Sequence, residues 1–108
     1  MNAWGLLSVA IAMEVLGTSL LKYSNGFAKW HWGMLAIACY STSLWFLAPV
    51  LKSIPVGVAY AIWAGCGIVL ITLVGILVFG QKLSLLQIGM IGLILVGAIG
   101  LNLTTDIS

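Results

Sequence analysis

The run LLSVAIAMEVLGTSLLKYSNGF, residues 6–27, decides the fold. It is long and apolar, yet it carries a carboxylate, Glu14, near its middle. A bilayer core about 30 Å thick is crossed by about 20 apolar helical residues, so a run of this kind can span. An acid at the centre of such a span costs about 2.5–3.5 kcal/mol on insertion scales. It belongs against a bundle interior or a wet cavity, and it marks a functional site. The nearest cation in sequence, Lys22, is about two helical turns away.

The rest of the chain has the same character. Of its 108 residues, 63% are hydrophobic and 6% are charged, whereas soluble domains carry about 25% charged residues. Such a chain cannot cover a surface facing water. Four spans are expected, at 4–21, 32–50, 58–79 and 85–103, in one transmembrane domain over 1–108. The connections KYSNGFAKWH (22–31), LKSIPVG (51–57) and FGQKLS (79–84) are short and carry the Gly, Pro, Asn and Ser of turns. Pro55 stops continuation after the second span, and Pro49 falls in its final turn. Trp4, Tyr23, Trp30 and Trp32 stand where interfacial aromatics belong. The first span contains a small-x-small pattern, Ala10-Ile11-Ala12, but no Lys or Arg precedes it and Glu14 interrupts it. It is therefore expected to remain as a span rather than to be cleaved as a leader. The fold class is all-α and integral to the membrane.

Several function classes drop out. Net charge is +2, from four Lys and two acids with no Arg, so no basic tract serves nucleic acid. Cys39 and Cys66 lie apart in apolar stretches and read as small buried residues, not a metal or redox pair. No second intramembrane acid, intramembrane His or nucleotide-binding glycine motif supplies an enzyme site. No cofactor or metal is expected, and a phosphate-powered pump would need a separate ATPase subunit. Lys22, Lys29 and Lys82 fall on one side of the membrane, and Lys52 with the N-terminal amine on the other. This thin bias leaves insertion in both orientations open.

At 100° per residue, Leu7, Ala10, Gly17, Thr18 and Leu21 share the Glu14 face. Most are small, which suits close helix contact or a cavity. A neutral acid hydrogen-bonded to Thr18 or to another helix is the competing reading. In AYAIWAGCG (59–67), Tyr60 and Trp63 lie on neighbouring turns of one face, and Tyr40 and Ser43 repeat that spacing in the second span. Plain packing explains such stripes by spacing alone. Together with Glu14, however, the rings offer charge attraction and cation–π contact to an apolar cation. Gly65 and Gly67 suggest either a bend in the third helix or close packing. Gly89, Gly92, Gly97 and Gly100 fall within about a 140° arc of the fourth helix, a ridge for helix association. His31, between two Trp, reads as interfacial.

These marks together resemble the small multidrug resistance family over essentially the whole chain. They are Glu14 in MEVLGTSLLKYSNGF (13–27), the run IPVGVAYAIWAGCGIVLI (54–71), and FGQKLS before a glycine-bearing fourth helix. The resemblance implies an antiparallel homodimer in the bacterial inner membrane whose two glutamates bind either protons or a cationic substrate. It implies roles for Glu14 as the coupling carboxylate and for Trp63, Tyr60 and Tyr40 as pocket residues, with Thr18 and Ser43 lining the pocket. Leu7, Ala10 and Gly17, on the Glu14 face, join the expected substrate-binding set. The chain is similar to the quaternary-ammonium branch. The guanidinium branch usually has Trp where Gly17 stands and Lys-Glu-Pro in the third loop. Met90 departs from the family's usual glycine at that position of the dimer seam. Expected partners are small organic cations, protons, membrane lipids and a second copy of the chain. Guanidinium or polyamine export remains an alternative, as does a proton-conducting proteolipid, although rotor subunits of that kind typically resemble two-helix hairpins.

Overall fold

The structure is a computed structural model, and it describes residues 2–105. The N-terminal amine counted in the charge balance lies outside the described residues, as do residues 106–108 of the expected domain. Four helices follow one another: α1 (Ala3–Tyr23), α2 (Trp30–Val50), α3 (Val56–Leu77) and α4 (Leu85–Thr104). No strand occurs among the described residues. Each helix has 20 to 22 residues, about 30 Å at 1.5 Å per residue, which matches the bilayer core. All four are apolar enough to cross a membrane.

Helices are the local solution because hydrocarbon offers no hydrogen bonds, so the backbone must satisfy itself within each span. The hydroxyls obey the same constraint. Ser8, Ser19, Thr42 and Thr72 each donate to the carbonyl four residues earlier, at 2.7–2.9 Å. The helix ends have specific causes. Asn2 opens α1 by accepting from the Gly5 N–H at 2.7 Å. Ser84 and Gln87 form a reciprocal capping box at α4. Pro55 precedes the first residue of α3, so that helix begins at Val56, ahead of the expected position 58. It ends at Leu77, and Gly80 then turns the chain with φ +65°. Trp30 and His31, expected in the loop, form the first turn of α2.

The α1–α2 connection is built tightly. Ser24 is fully buried. Its hydroxyl donates to the Leu21 carbonyl at 2.6 Å and accepts from the Phe27 N–H at 3.2 Å. Asn25, Gly26 and Phe27 all have left-handed backbones, with φ of 54°, 66° and 68°. Beside them Tyr23 meets Trp32 edge-on at 5.2 Å, and the Lys29 ammonium lies 4.5 Å from the centre of the Tyr23 ring. This is an aromatic and basic girdle of the kind found at a membrane interface.

Helix α1 packs along α2 and touches α3, while α3 pairs with α4. The core where α1, α2 and α3 meet includes Leu7, Ala10, Leu47, Val50, Ile62 and Trp63. Glycines set the spacing. A Cβ at Gly17 would lie 3.0 Å from the Tyr40 ring and 3.1 Å from the Ala36 carbonyl, so α1 and α2 approach closely there. Gly65 performs the same service against Ile94 and Ala98 of α4. Helix α4 is outermost and buries only Ala98.

Candidate functional site

Glu14 stands in the middle of α1, 8% exposed, and its Oε1 has no hydrogen-bond partner. Its carboxylate rests against α3 at Gly67, where any Cβ would overlap it. The absence of a side chain at position 67 therefore forms the seat for the acid. Gly67 and Trp63 are four residues apart, so the seat and the indole occupy one face of α3 on successive turns. The Thr18 hydroxyl donates to the Glu14 backbone carbonyl at 3.0 Å, not to the carboxylate. The reading of a neutral acid satisfied by Thr18 has no support in this geometry.

The three aromatic residues from two helices come together. Trp63 meets Tyr60 edge-on with ring centres 5.6 Å apart, and meets Tyr40 edge-on at 6.4 Å. Trp63 is buried, while Tyr60 is 60% exposed and presents its ring outward. The indole orientation is fixed from behind. Its N–H donates to the Ser43 hydroxyl at 3.0 Å, and that hydroxyl donates to the Ala10 carbonyl at 2.6 Å. One relay thus ties α3 to α2 and α2 to α1.

That relay revises two of the expected lining positions. Ser43 and Ala10 have no exposed surface. They stand behind the aromatic set and hold it, because the spacing that puts Ser43 beside Tyr40 also turns it toward α1. Leu7 is equally buried, but it borders a cavity of about 240 Å³ among α1, α3 and α4, with Trp4, Ile11, Ile62 and Cys66. Gly17 and Thr18 border a second groove, of about 290 Å³ between α1 and α2, together with Leu21, Phe27 and Tyr40. Helix α3 is continuous through Gly65 and Gly67, and both glycines make close contacts. Gly89, Gly92, Gly97 and Gly100 would meet nothing within 4 Å if given a Cβ, so the ridge is open in the protomer. Among the described residues no cluster of His, Cys, Asp or Glu could hold a metal.

Sequence reasoning missed two features. The role of Gly67 as a seat left no signal beyond the glycine itself. Phe27 follows the turn signal Ser-Asn-Gly, which marks the turn but not where the ring goes.

Comparison with known proteins adds a second line. The family model described as Small Multidrug Resistance protein matches residues 2–96. The chain is 46% identical over 108 residues to the quaternary ammonium compound-resistance protein QacE of Escherichia coli, covering 100% of this chain and 98% of that one. It is 47% identical over 103 residues to the multidrug transporter EmrE of Escherichia coli K12, covering 95% and 94%. A guanidinium exporter of Yersinia pseudotuberculosis is 40% identical over 103 residues, covering 95% and 99%.

Proposed function

The chain belongs to the small multidrug resistance family, and from that premise we propose that it is a proton-coupled antiporter exporting lipophilic and quaternary ammonium cations. The family members are transporters, not enzymes, and this is a multi-pass protein of the bacterial inner membrane. The finer reading rests above all on one observation. A buried carboxylate with an unpartnered oxygen lies against α3 one turn from an aromatic cluster.

The chemistry follows from solvation. A carboxylate in an apolar bundle needs a positive charge near it or a proton on it. An organic cation supplies the first, and Trp63, Tyr60 and Tyr40 add ring faces and apolar area for its substituents. A proton supplies the second and removes the attraction that held the cation. One site that cannot hold both ligands well, opened alternately to each side, exchanges one for the other. Two copies of the chain would bring two such carboxylates to a common cavity, where they titrate as a coupled pair.

The quaternary-ammonium branch is favoured over guanidinium export by Gly17 and by the third loop, Gly80-Gln81-Lys82-Leu83. The test is reconstitution in proteoliposomes with an imposed gradient of tetraphenylphosphonium, benzalkonium or guanidinium. The proposal expects the first two to drive counter-movement of protons and guanidinium to do so weakly. Cation movement without protons would refute antiport, and guanidinium alone driving protons would move the chain to the other branch.

A further inference from the structure

We propose that Phe27 is a specificity-determining residue, the end wall of the groove between α1 and α2 that limits how long an apolar substituent a bound cation can carry. This rests on the export reading above. Three observations carry it. The first is conformational: Phe27 has φ +68°, a left-handed backbone that a bulky residue rarely adopts. Strain of this kind persists only where the surroundings over-determine it, and it clusters at functional sites. Here the surroundings are the buried Ser24 hydroxyl, which accepts the Phe27 N–H, and the left-handed Asn25 and Gly26 that precede it.

The second is where that backbone sends the ring. It folds back onto α2 at Gly33, where even a methyl group would overlap it. Gly33 therefore admits the ring as Gly67 admits the Glu14 carboxylate. The third is what the ring closes. The groove runs from Tyr40 and Gly17 to Phe27 and Leu21, and along α2 the step from Tyr40 to Gly33 is about two turns, about 10 Å. Its inner end is Tyr40, whose ring meets Trp63 of the candidate cation site. A cation held there would lay an alkyl tail along Gly17, Thr18 and Ile37 toward Phe27. The ring is still 47% exposed, so core burial does not explain why the strained conformation is kept. A wall facing a groove does.

The test is binding of an alkyltrimethylammonium series, butyl to dodecyl, to the purified full chain, its Phe27→Ala variant and its Gly33→Ala variant. In the wild-type protein, affinity should rise with chain length and then level off where the tail reaches the ring. Phe27→Ala removes the wall, and Gly33→Ala displaces the ring without altering it. Both should move the plateau to longer tails. The longest homologue should tighten about fifteenfold for two more buried methylenes, at about fourfold each, with the shortest unchanged within about twofold. Should Phe27→Ala not fold, Phe27→Leu keeps apolar packing on Gly33, shortens the wall and carries the same expectation. A loss shared equally by all lengths, or a length profile parallel to that of the wild type, would overturn the proposal and make Phe27 a turn residue only. Wild-type protein that binds no homologue at all would refute the export reading itself, and this proposal with it.

Discussion

Glu14 is a lone acid in an apolar span, which insertion energetics make conspicuous, and its seat is a glycine of α3, Gly67. Gly67 is one glycine among 13 in the chain, and only the packing of α1 on α3 distinguishes it. The two views of Gly67 predict different outcomes. If it were only a weak point in the helix, Gly67→Ala would stabilise α3 by about 1 kcal/mol. Because a Cβ would overlap the Glu14 carboxylate and force it to shift, we expect Gly67→Ala to weaken tetraphenylphosphonium binding, as read by equilibrium titration of the purified protein. Trp63→Ala should weaken aromatic-cation binding by about 0.5–2 kcal/mol through loss of a cation–π face. Unchanged affinity in that variant would place Trp63 in the packing alone.

At the scale of elements, the relay from Trp63 through Ser43 to Ala10 links three helices with two hydrogen bonds. Spacing places Ser43 on the same helix face as Tyr40, but it does not say whether a hydroxyl opens to a cavity or is consumed by the core. The decision comes from the close α1–α2 approach at Gly17, a tertiary contact that periodicity does not contain. Ser43→Ala leaves the buried indole N–H without its partner, while the Ala10 carbonyl, in the middle of α1, keeps its helical one. It should destabilise the protein by about 1–3 kcal/mol, toward the lower end if the unfolded chain finds other partners in the membrane. Thermal unfolding in detergent measures this, and a melting temperature equal to that of the wild type would show that water replaces the hydroxyl. The four spans themselves were legible from length and composition, because hydrocarbon allows a helix few alternatives. Their ends shifted where Pro55 and the Ser24–Phe27 turn imposed local geometry.

For the whole molecule, the open face of α4 indicates assembly. Only Ala98 of that helix is buried, and the ridge of Gly89, Gly92, Gly97 and Gly100 meets nothing in the protomer. A dimer is typical of the family, and we propose an antiparallel pair, which the thin lysine bias permits. Replacing Gly97 with Leu should then shift a crosslinking or light-scattering measurement from dimer toward monomer while leaving the α1–α3 site built. Lysines added at both termini should trap one orientation, giving a variant that transports poorly alone and recovers with an oppositely biased partner. The direction of that pairing is what the family resemblance implies, because an exposed glycine ridge does not itself disclose which way its partner runs. The central claim is simpler than the assembly: the proton and the cation compete for Glu14. The most direct measurement is proton release into weakly buffered solution when tetraphenylphosphonium is added to the purified protein, compared between wild type and Glu14→Gln. The account predicts release from the wild type and none from the variant, which should still fold, since the swap barely changes helix propensity. Release persisting in Glu14→Gln would contradict it.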